Sequence, residues 1–176
     1  MTLARIAAAI VFLLAAPALA QSEGDRQAVT DRIAAFEADF AEGDMAGVLD
    51  VMPPSLLQAM ADQFGMEPDM LRTAMAQAVE GAMAEVELNA FGMDVEAATF
   101  GETAEGRAYA LVPTMSEMTV PDVGTMRSEN TTLMLEEDGA WYMLRIDQPQ
   151  QIALVREVYP DLAEVPLQLG TTEIVE

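Results

Sequence analysis

The stretch Glu85-Val86-Glu87-Leu88-Asn89-Ala90 marks a change in the spacing of apolar residues along the chain. Before this stretch, apolar residues recur at steps of three and four, which is typical of helices with one buried face. Within and after it, apolar residues alternate with polar ones, which is typical of strands that bury one face. The sequence therefore predicts helices first and an antiparallel sheet afterwards.

Three helices are predicted before the change. The first covers residues 25–42, the second lies between the Pro53-Pro54 break and Gly65, and the third covers about 67–83. Gly43 follows the first helix, at a position that favours a left-handed residue. The positions expected to face inward are, in order, Val29, Ile33, Phe36 and Phe40; Leu56, Leu57, Met60 and Phe64; and Met70, Leu71, Met75, Ala78 and Val79.

The second half predicts five or six strands and a final helix. The strands are expected over 85–90, 96–101, 107–120, 126–136 and 140–146, and the helix over 149–158. Asp138-Gly139 is a strong turn signal between the last two strands. Leu169 and the residues after it are expected to form a loose tail. Helices followed by a run of antiparallel strands predict an α+β domain, with one sheet covered on one face.

The first twenty residues have the features of a secretory signal peptide. A single charge, Arg5, precedes the apolar run from Ile6 to Leu14, and Ala18-Leu19-Ala20 fits a cleavage site. The apolar run is shorter than the roughly 18 residues that a membrane span needs. We therefore expect a signal peptide over 1–20, one soluble domain over 21–164, a tail over 165–176, and a periplasmic or secreted location with no membrane span.

The composition excludes several kinds of chemistry. The chain has 176 residues with no cysteine, histidine or lysine, so it contains no thiol nucleophile, imidazole base, Schiff-base lysine or thiolate zinc site. Its 30 acidic residues against 8 arginines give a net charge of −22. This charge repels phosphate backbones, and nucleic acid is not expected as a partner. No cofactor, metal ligand or catalytic residue is predicted.

Three motifs resemble those of the nuclear transport factor 2-like superfamily. They are the helix end Glu42-Gly43-Asp44-Met45, the break Met52-Pro53-Pro54, and the terminal strand from Gly139 through Trp141 and Arg145 to Asp147. The similarity spans roughly residues 25–147. It implies a strongly curved sheet of five to six strands, with the N-terminal helices packed in its concave face and a C-terminal helix added.

This resemblance implies little about function, because the superfamily includes enzymes, assembly modules and ligand binders on one scaffold. Its catalytic members typically use an aspartate with a histidine or with tyrosines, and this chain has no histidine. We therefore expect a non-enzymatic binding or interaction module. A lyase or isomerase that uses carboxylate and tyrosine groups is the alternative, and a methionine-based copper carrier is a second one.

Four residues are predicted to bind a ligand. If Leu133 and Leu135 face the core, Arg127 and Glu129 share their face by the two-residue repeat of a strand. They would then lie at the mouth of the cone and orient a small amphipathic molecule; the alternative is an exposed charge pair. Tyr109 and Tyr142 are the tyrosines expected inside the cone.

Other features of the chain leave alternatives open. Arg145 either clamps an anion or packs on the outer sheet face. Met115-x-x-Met118 has a spacing used for Cu(I), although methionine is also ordinary core filler. A homodimer through the outer sheet face is the other partner that we expect.

Overall fold

A computed structural model of the chain describes residues 18–175, with side chains from residue 23 onward. The helices and strands within these residues are α1 (Ala18–Glu42), α2 (Met45–Leu49), α3 (Pro54–Phe64), α4 (Pro68–Met83), β1 (Glu87–Met93), β2 (Thr99–Glu102), β3 (Ala108–Val120), β4 (Gly124–Glu137), β5 (Ala140–Arg145), α5 (Pro149–Val158) and β6 (Thr171–Val175). A short 3-10 helix, Pro160–Leu162, follows α5. The predicted signal peptide over 1–20 lies almost entirely outside the described residues.

Two long central strands, β3 and β4, organise the sheet. They pair with each other along nearly their whole length, and the order across the sheet is β1-β3-β4-β5. The outer edge of β3 is shared by β2 and β1, and the outer edge of β4 by β5 and β6. All these pairs are antiparallel. The sheet curls into a half-barrel with helices packed against it, which confirms the predicted α+β class and sheet size.

Pro113 lies on β3 between the segment that pairs with β2 and the segment that pairs with β1. Residues up to Leu111 pair with β2, and residues from Thr114 onward pair with β1. A proline lacks an N–H, but in this gap no outer strand needs one. The Pro113 carbonyl accepts a hydrogen bond from the Asp94 N–H at 2.9 Å. The prediction that β3 continues past Pro113 is confirmed.

Both faces of the central strands are buried, so the expectation of a sheet covered on one face is wrong. Even-numbered residues face α1 on the concave side, where the core contains Val29, Ile33, Val51, Ala108, Ala110, Val112, Met134, Trp141 and Met143. Odd-numbered residues face α5 on the convex side, where the core contains Leu56, Leu133, Leu135, Ile146, Val155, Tyr159, Leu162 and Val165. The signal was present in the sequence, because residues 133–135 are apolar without alternation, which is the pattern of a strand buried on both faces.

The turns and helix ends follow the predicted residues. Gly43 has a φ of +75° after α1, and the Asp44 side chain accepts from the N–H groups of Ala46 and Gly47 at the start of α2. Asp138 and Gly139 both have positive φ, as a two-residue hairpin turn requires.

Three residues expected inside, Phe64, Met70 and Ala78, are exposed. Phe64 and Met70 flank the turn between α3 and α4, and their exposed fractions are 62% and 63%. The Met66 N–H bonds the Ala61 carbonyl at 3.0 Å, which closes the end of α3 and turns Met66 towards the small core of Leu57, Ala61 and Leu71. Because Met66 takes that place, the predicted inward positions at Phe64 and Met70 are wrong.

The expected loose tail is also wrong for its last residues, because Thr171–Val175 forms β6 and pairs with β4. Gly170 precedes this strand and lies against Asn130, where an added Cβ would approach the Asn130 Cβ to 2.5 Å. Residues 171–175 are mostly exposed, so they give little hydrophobic signal in the sequence. Their strand is stabilised by backbone pairing with β4.

Candidate functional site

The main candidate site is a cavity of about 760 Å³ between the concave face of the sheet and the helices α1, α2 and α4. Its volume falls in the range of about 300–1,000 Å³ that is typical of small-molecule sites. The lining residues are Phe36, Glu37, Phe40, Val48, Leu49, Val51, Met52, Val79, Met83, Leu88, Phe91, Met93, Thr114, Ser116, Met118, Thr132, Met143, Leu144, Arg145, Asp147 and Gln151. Fourteen of these are apolar, so the site suits a largely apolar molecule.

Aromatic rings and thioethers form the apolar wall. The Phe36 ring lies 6.1 Å from the Phe40 ring and 5.7 Å from the Phe91 ring, measured between centroids. Five methionines also line the cavity: Met52, Met83, Met93, Met118 and Met143. Methionine side chains are flexible and polarisable, so this wall adapts to more than one ligand shape.

The sheet floor of the cavity carries three buried hydroxyl residues. Thr114 on β3 and Thr132 on β4 are diagonal neighbours on the concave face, and their hydroxyl oxygens lie 2.8 Å apart. Ser116 follows on β3, with an exposed fraction of 2%, and its Oγ has no hydrogen-bond partner. A buried hydroxyl left unpaired costs about 1–3 kcal/mol. The structure therefore places a hydrogen-bonding group at the cavity floor that the protein itself does not satisfy.

The rim of the cavity is charged, but its cation is paired. The Arg145 Nε lies 2.9 Å from Asp147 Oδ1. With the Asn130 amide oriented to present its oxygen, Arg145 Nε also donates to Asn130 at 3.0 Å. Arg145 therefore lies on the cavity face, and the alternative that placed it on the outer face is wrong.

The structure places Arg127 and Glu129 away from this cavity. They share the odd-numbered face of β4 with Leu133 and Leu135, as predicted, but that face is the convex one. Arg127 forms an exposed cross-strand pair with Glu117, with 3.0 Å between Nη2 and Oε2. Glu129 borders a second, shallower groove beside Gln168 and Thr171. The expectation that both residues lie at the mouth of the cone was wrong because the sequence did not show which face holds α1.

Neither predicted tyrosine lines the cavity. Tyr109 lies on the convex side, and its ring covers Gly101 on β2 so closely that an added Cβ would approach the ring to 2.5 Å. Tyr142 lies on the edge strand β5, with the Arg32 guanidinium 5.5 Å from its ring centroid. The placement of both tyrosines inside the cone was therefore wrong.

The methionine pair does not form a two-thioether site. Met115 and Met118 are three residues apart on β3, so their side chains point to opposite faces of the sheet. Among the described residues, no group of three or more acidic, histidine or cysteine side chains is arranged to hold a metal ion.

A buried polar network occupies the other side of the sheet. Glu137 accepts hydrogen bonds from the Ser55 N–H at 3.0 Å, the Ser55 hydroxyl at 2.7 Å and the Tyr159 hydroxyl. Burial and then the bond to Glu137 raise the pKa of Tyr159 above its ordinary value. Because Glu137 supplies the N-terminal cap that Pro53 cannot give to α3, we interpret the network as structural.

A concentration of acids lies outside the cavity, near the start of α1. Burial raises the pKa of the Asp25 carboxyl, and the negative charges of Glu136 and Glu102 raise it further. The convergence of like charges at this end adds to the negative field of the whole chain.

Comparison with known proteins adds no relative. No protein-family model, curated protein or solved structure matches this chain. Within residues 18–175, no helix is long and apolar enough to span a bilayer.

Sequence reasoning missed the hydroxyl residues of the cavity floor. The signal was present in the even positions of β3, where Ala108, Ala110 and Val112 are followed by Thr114 and Ser116. A change from apolar to small polar residues on one strand face, continued by Met118, indicates where a core opens into a lined space.

Proposed function

We propose that this protein is a binding module that holds a small, largely apolar molecule between its helices and the concave face of its sheet. The observation that carries the proposal is the cavity of about 760 Å³ with its predominantly apolar wall. The space is a partly open pocket rather than a packing void inside the core. A space of this size that is lined by Phe, Leu, Val and Met side chains therefore supports a role in ligand binding.

The chemistry of the lining favours binding over catalysis. Its ionisable side chains are Glu37, Arg145 and Asp147, and the last two are paired with each other. Acid–base catalysis by the carboxylate–tyrosine route would need a tyrosine close to a cavity carboxylate, whereas Tyr109 and Tyr142 lie elsewhere. The proposal of a non-enzymatic module therefore has more support than the lyase or isomerase alternative.

Export to the periplasm or outside the cell is part of the proposal. It rests on the signal features of residues 1–20. Membership of the nuclear transport factor 2-like superfamily is also a proposal. It rests on the motifs at residues 42–45, 52–54 and 139–147, and on the curled sheet with helices packed against it.

Nile red, a neutral dye that fluoresces strongly in apolar surroundings, is a direct probe of the cavity. We expect the purified protein to bind it with a blue-shifted emission. Val79→Trp adds bulk on α4 where that helix lines the cavity, and we expect it to weaken dye binding at least tenfold. The matched control is Val123→Trp, which adds the same bulk at an exposed turn position and should leave dye binding unchanged. Equal binding by both variants, or no binding by the native chain, would refute the proposal.

A further inference from the structure

The three hydroxyl groups at the cavity floor differ in whether their protons are used in hydrogen bonds within the protein. Thr114 Oγ1 lies 3.1 Å from the Val112 carbonyl oxygen and 2.8 Å from Thr132 Oγ1. A threonine hydroxyl has one proton and accepts through its lone pairs. If Thr114 donates to Val112, Thr132 donates to Thr114, and the protons of both threonines are used within the protein.

Ser116 differs from these threonines. Its Oγ is the one buried side-chain oxygen without a hydrogen-bond partner among residues 23–175. The residue opposite it on β4, Ser128, lies on the same face, but the Ser128 hydroxyl lies 2.9 Å from the Thr172 hydroxyl and is committed to β6. Ser116 lines the cavity and its hydroxyl has no partner within the protein, but Oγ has almost no accessible surface, so a ligand reaches this donor and acceptor once the Ser116 side chain rotates toward the cavity.

The charges around the cavity disfavour an anionic ligand. Arg145 is the one cation among the described lining residues, and it is already neutralised by Asp147. Glu37 adds a negative charge to the lining, and the chain as a whole carries −22. A carboxylate buried in the cavity would lack a free positive partner and would be repelled by this field.

We propose that the ligand is a neutral amphiphile, a hydrocarbon chain or ring system with one hydroxyl or carbonyl oxygen that bonds to Ser116 Oγ. The aromatic and methionine wall takes the hydrocarbon part, and Ser116 fixes the position of the oxygen. This inference rests on the proposed binding function and adds the chemical class of the ligand.

Displacement of Nile red by three matched compounds tests the inference: decane, decanol and decanoate. We expect decanol to bind more tightly than both decane and decanoate. Ser116→Ala should weaken decanol binding about three- to tenfold, the size of one net hydrogen bond, and should leave decane binding unchanged. Ser128→Ala is the matched control, because it removes a hydroxyl that faces β6, and it should not change the affinity for decanol.

Each outcome is decisive. Native-like affinity of Ser116→Ala for decanol would overturn the inference, because the hydroxyl would then serve only an internal water or nothing. Tighter binding of decanoate than of decanol would also overturn it, by showing that the site prefers an anion. Either result with Nile red still bound leaves the proposed binding function standing. Failure of Nile red and all three compounds to bind would refute both. Unfolding curves of the two alanine variants separate misfolding from loss of the hydroxyl.

Discussion

The two faces of the β3–β4 pair differ in how fully they are packed. On the convex face, Leu133 and Leu135 are fully buried against Val155, Tyr159 and Leu162, and the groove beside Glu129 lies further along the same strands. On the concave face, the core around Met134 gives way to a cavity of about 760 Å³. A filled face contributes packing energy, whereas an unfilled face gives up some of that energy and leaves room for a ligand.

The polar groups on the two faces differ in the same way. On the convex side, the Glu137 carboxylate receives three hydrogen bonds from Ser55 and Tyr159. On the concave side, the Ser116 hydroxyl receives none. Buried polar groups that are fully paired stabilise one arrangement of the chain, and a buried group left unpaired marks a place where a partner is absent. This difference separates the structural region from the proposed binding region.

The largest expected difference between the faces is in packing energy. Leu135→Ala removes a fully buried side chain from the convex core, and we expect it to lower the free energy of unfolding by about 3–5 kcal/mol. Met118→Ala removes a half-buried side chain that already borders the cavity, and we expect a loss of about 1–2 kcal/mol. Urea unfolding curves of both variants measure the two values. Equal losses would show that the concave face is as well packed as the convex one.

The next effect concerns the buried network and its pH dependence. Tyr159→Phe removes one hydrogen bond to the Glu137 carboxylate, and we expect a loss of about 1.5–3 kcal/mol at neutral pH. In the native protein the pKa of Tyr159 is raised by burial and by Glu137, so folding favours the protonated phenol. Its contribution is complete below the ordinary tyrosine pKa of about 10 and declines as the pH rises above that value.

Thermal or urea unfolding between neutral pH and strongly alkaline pH measures this dependence. Tyr159→Phe should unfold with a flatter alkaline decline than the native protein, because it lacks the ionising phenol. Tyr142→Phe, on the edge strand, is the control and should keep the native slope. The same steep decline in Tyr159→Phe would show that other groups cause the alkaline loss.

The smallest expected effect is at the exposed pair on the convex face. Arg127→Ala breaks the ion pair with Glu117, whose side chains are 43% and 23% exposed. Pairs of this kind contribute about 0–1 kcal/mol, so we expect a small loss that decreases with added salt. A double-mutant cycle with Glu117→Ala isolates the pair. Nile red binding should be unchanged, and a severalfold loss of dye binding would place Arg127 in the binding surface after all.

Much of the fold could be predicted from local pattern. The stripe Val29–Ile33–Phe36, the prolines at helix starts and the Asp138-Gly139 turn are local signals, because each acts within one or two turns of chain. The candidate site could not be predicted in the same way. Alternation shows that Arg127 and Leu133 share a face, but it does not show whether α1 or α5 covers that face. The choice of the wrong face moved Arg127 and Glu129 out of the cavity.

The sequence by itself determined the order of the helices and strands, the turns between them and the strongly acidic character of the chain. These properties depend on backbone preferences, apolar spacing and composition, which are written in neighbouring residues. Tertiary structure alone decided that the concave face stays partly empty, that Ser116 lies unpaired at its floor and that residues 171–175 join the sheet. These features arise from contacts between residues far apart in the chain, since volume and hydrogen-bond pairing are fixed only when distant segments pack together.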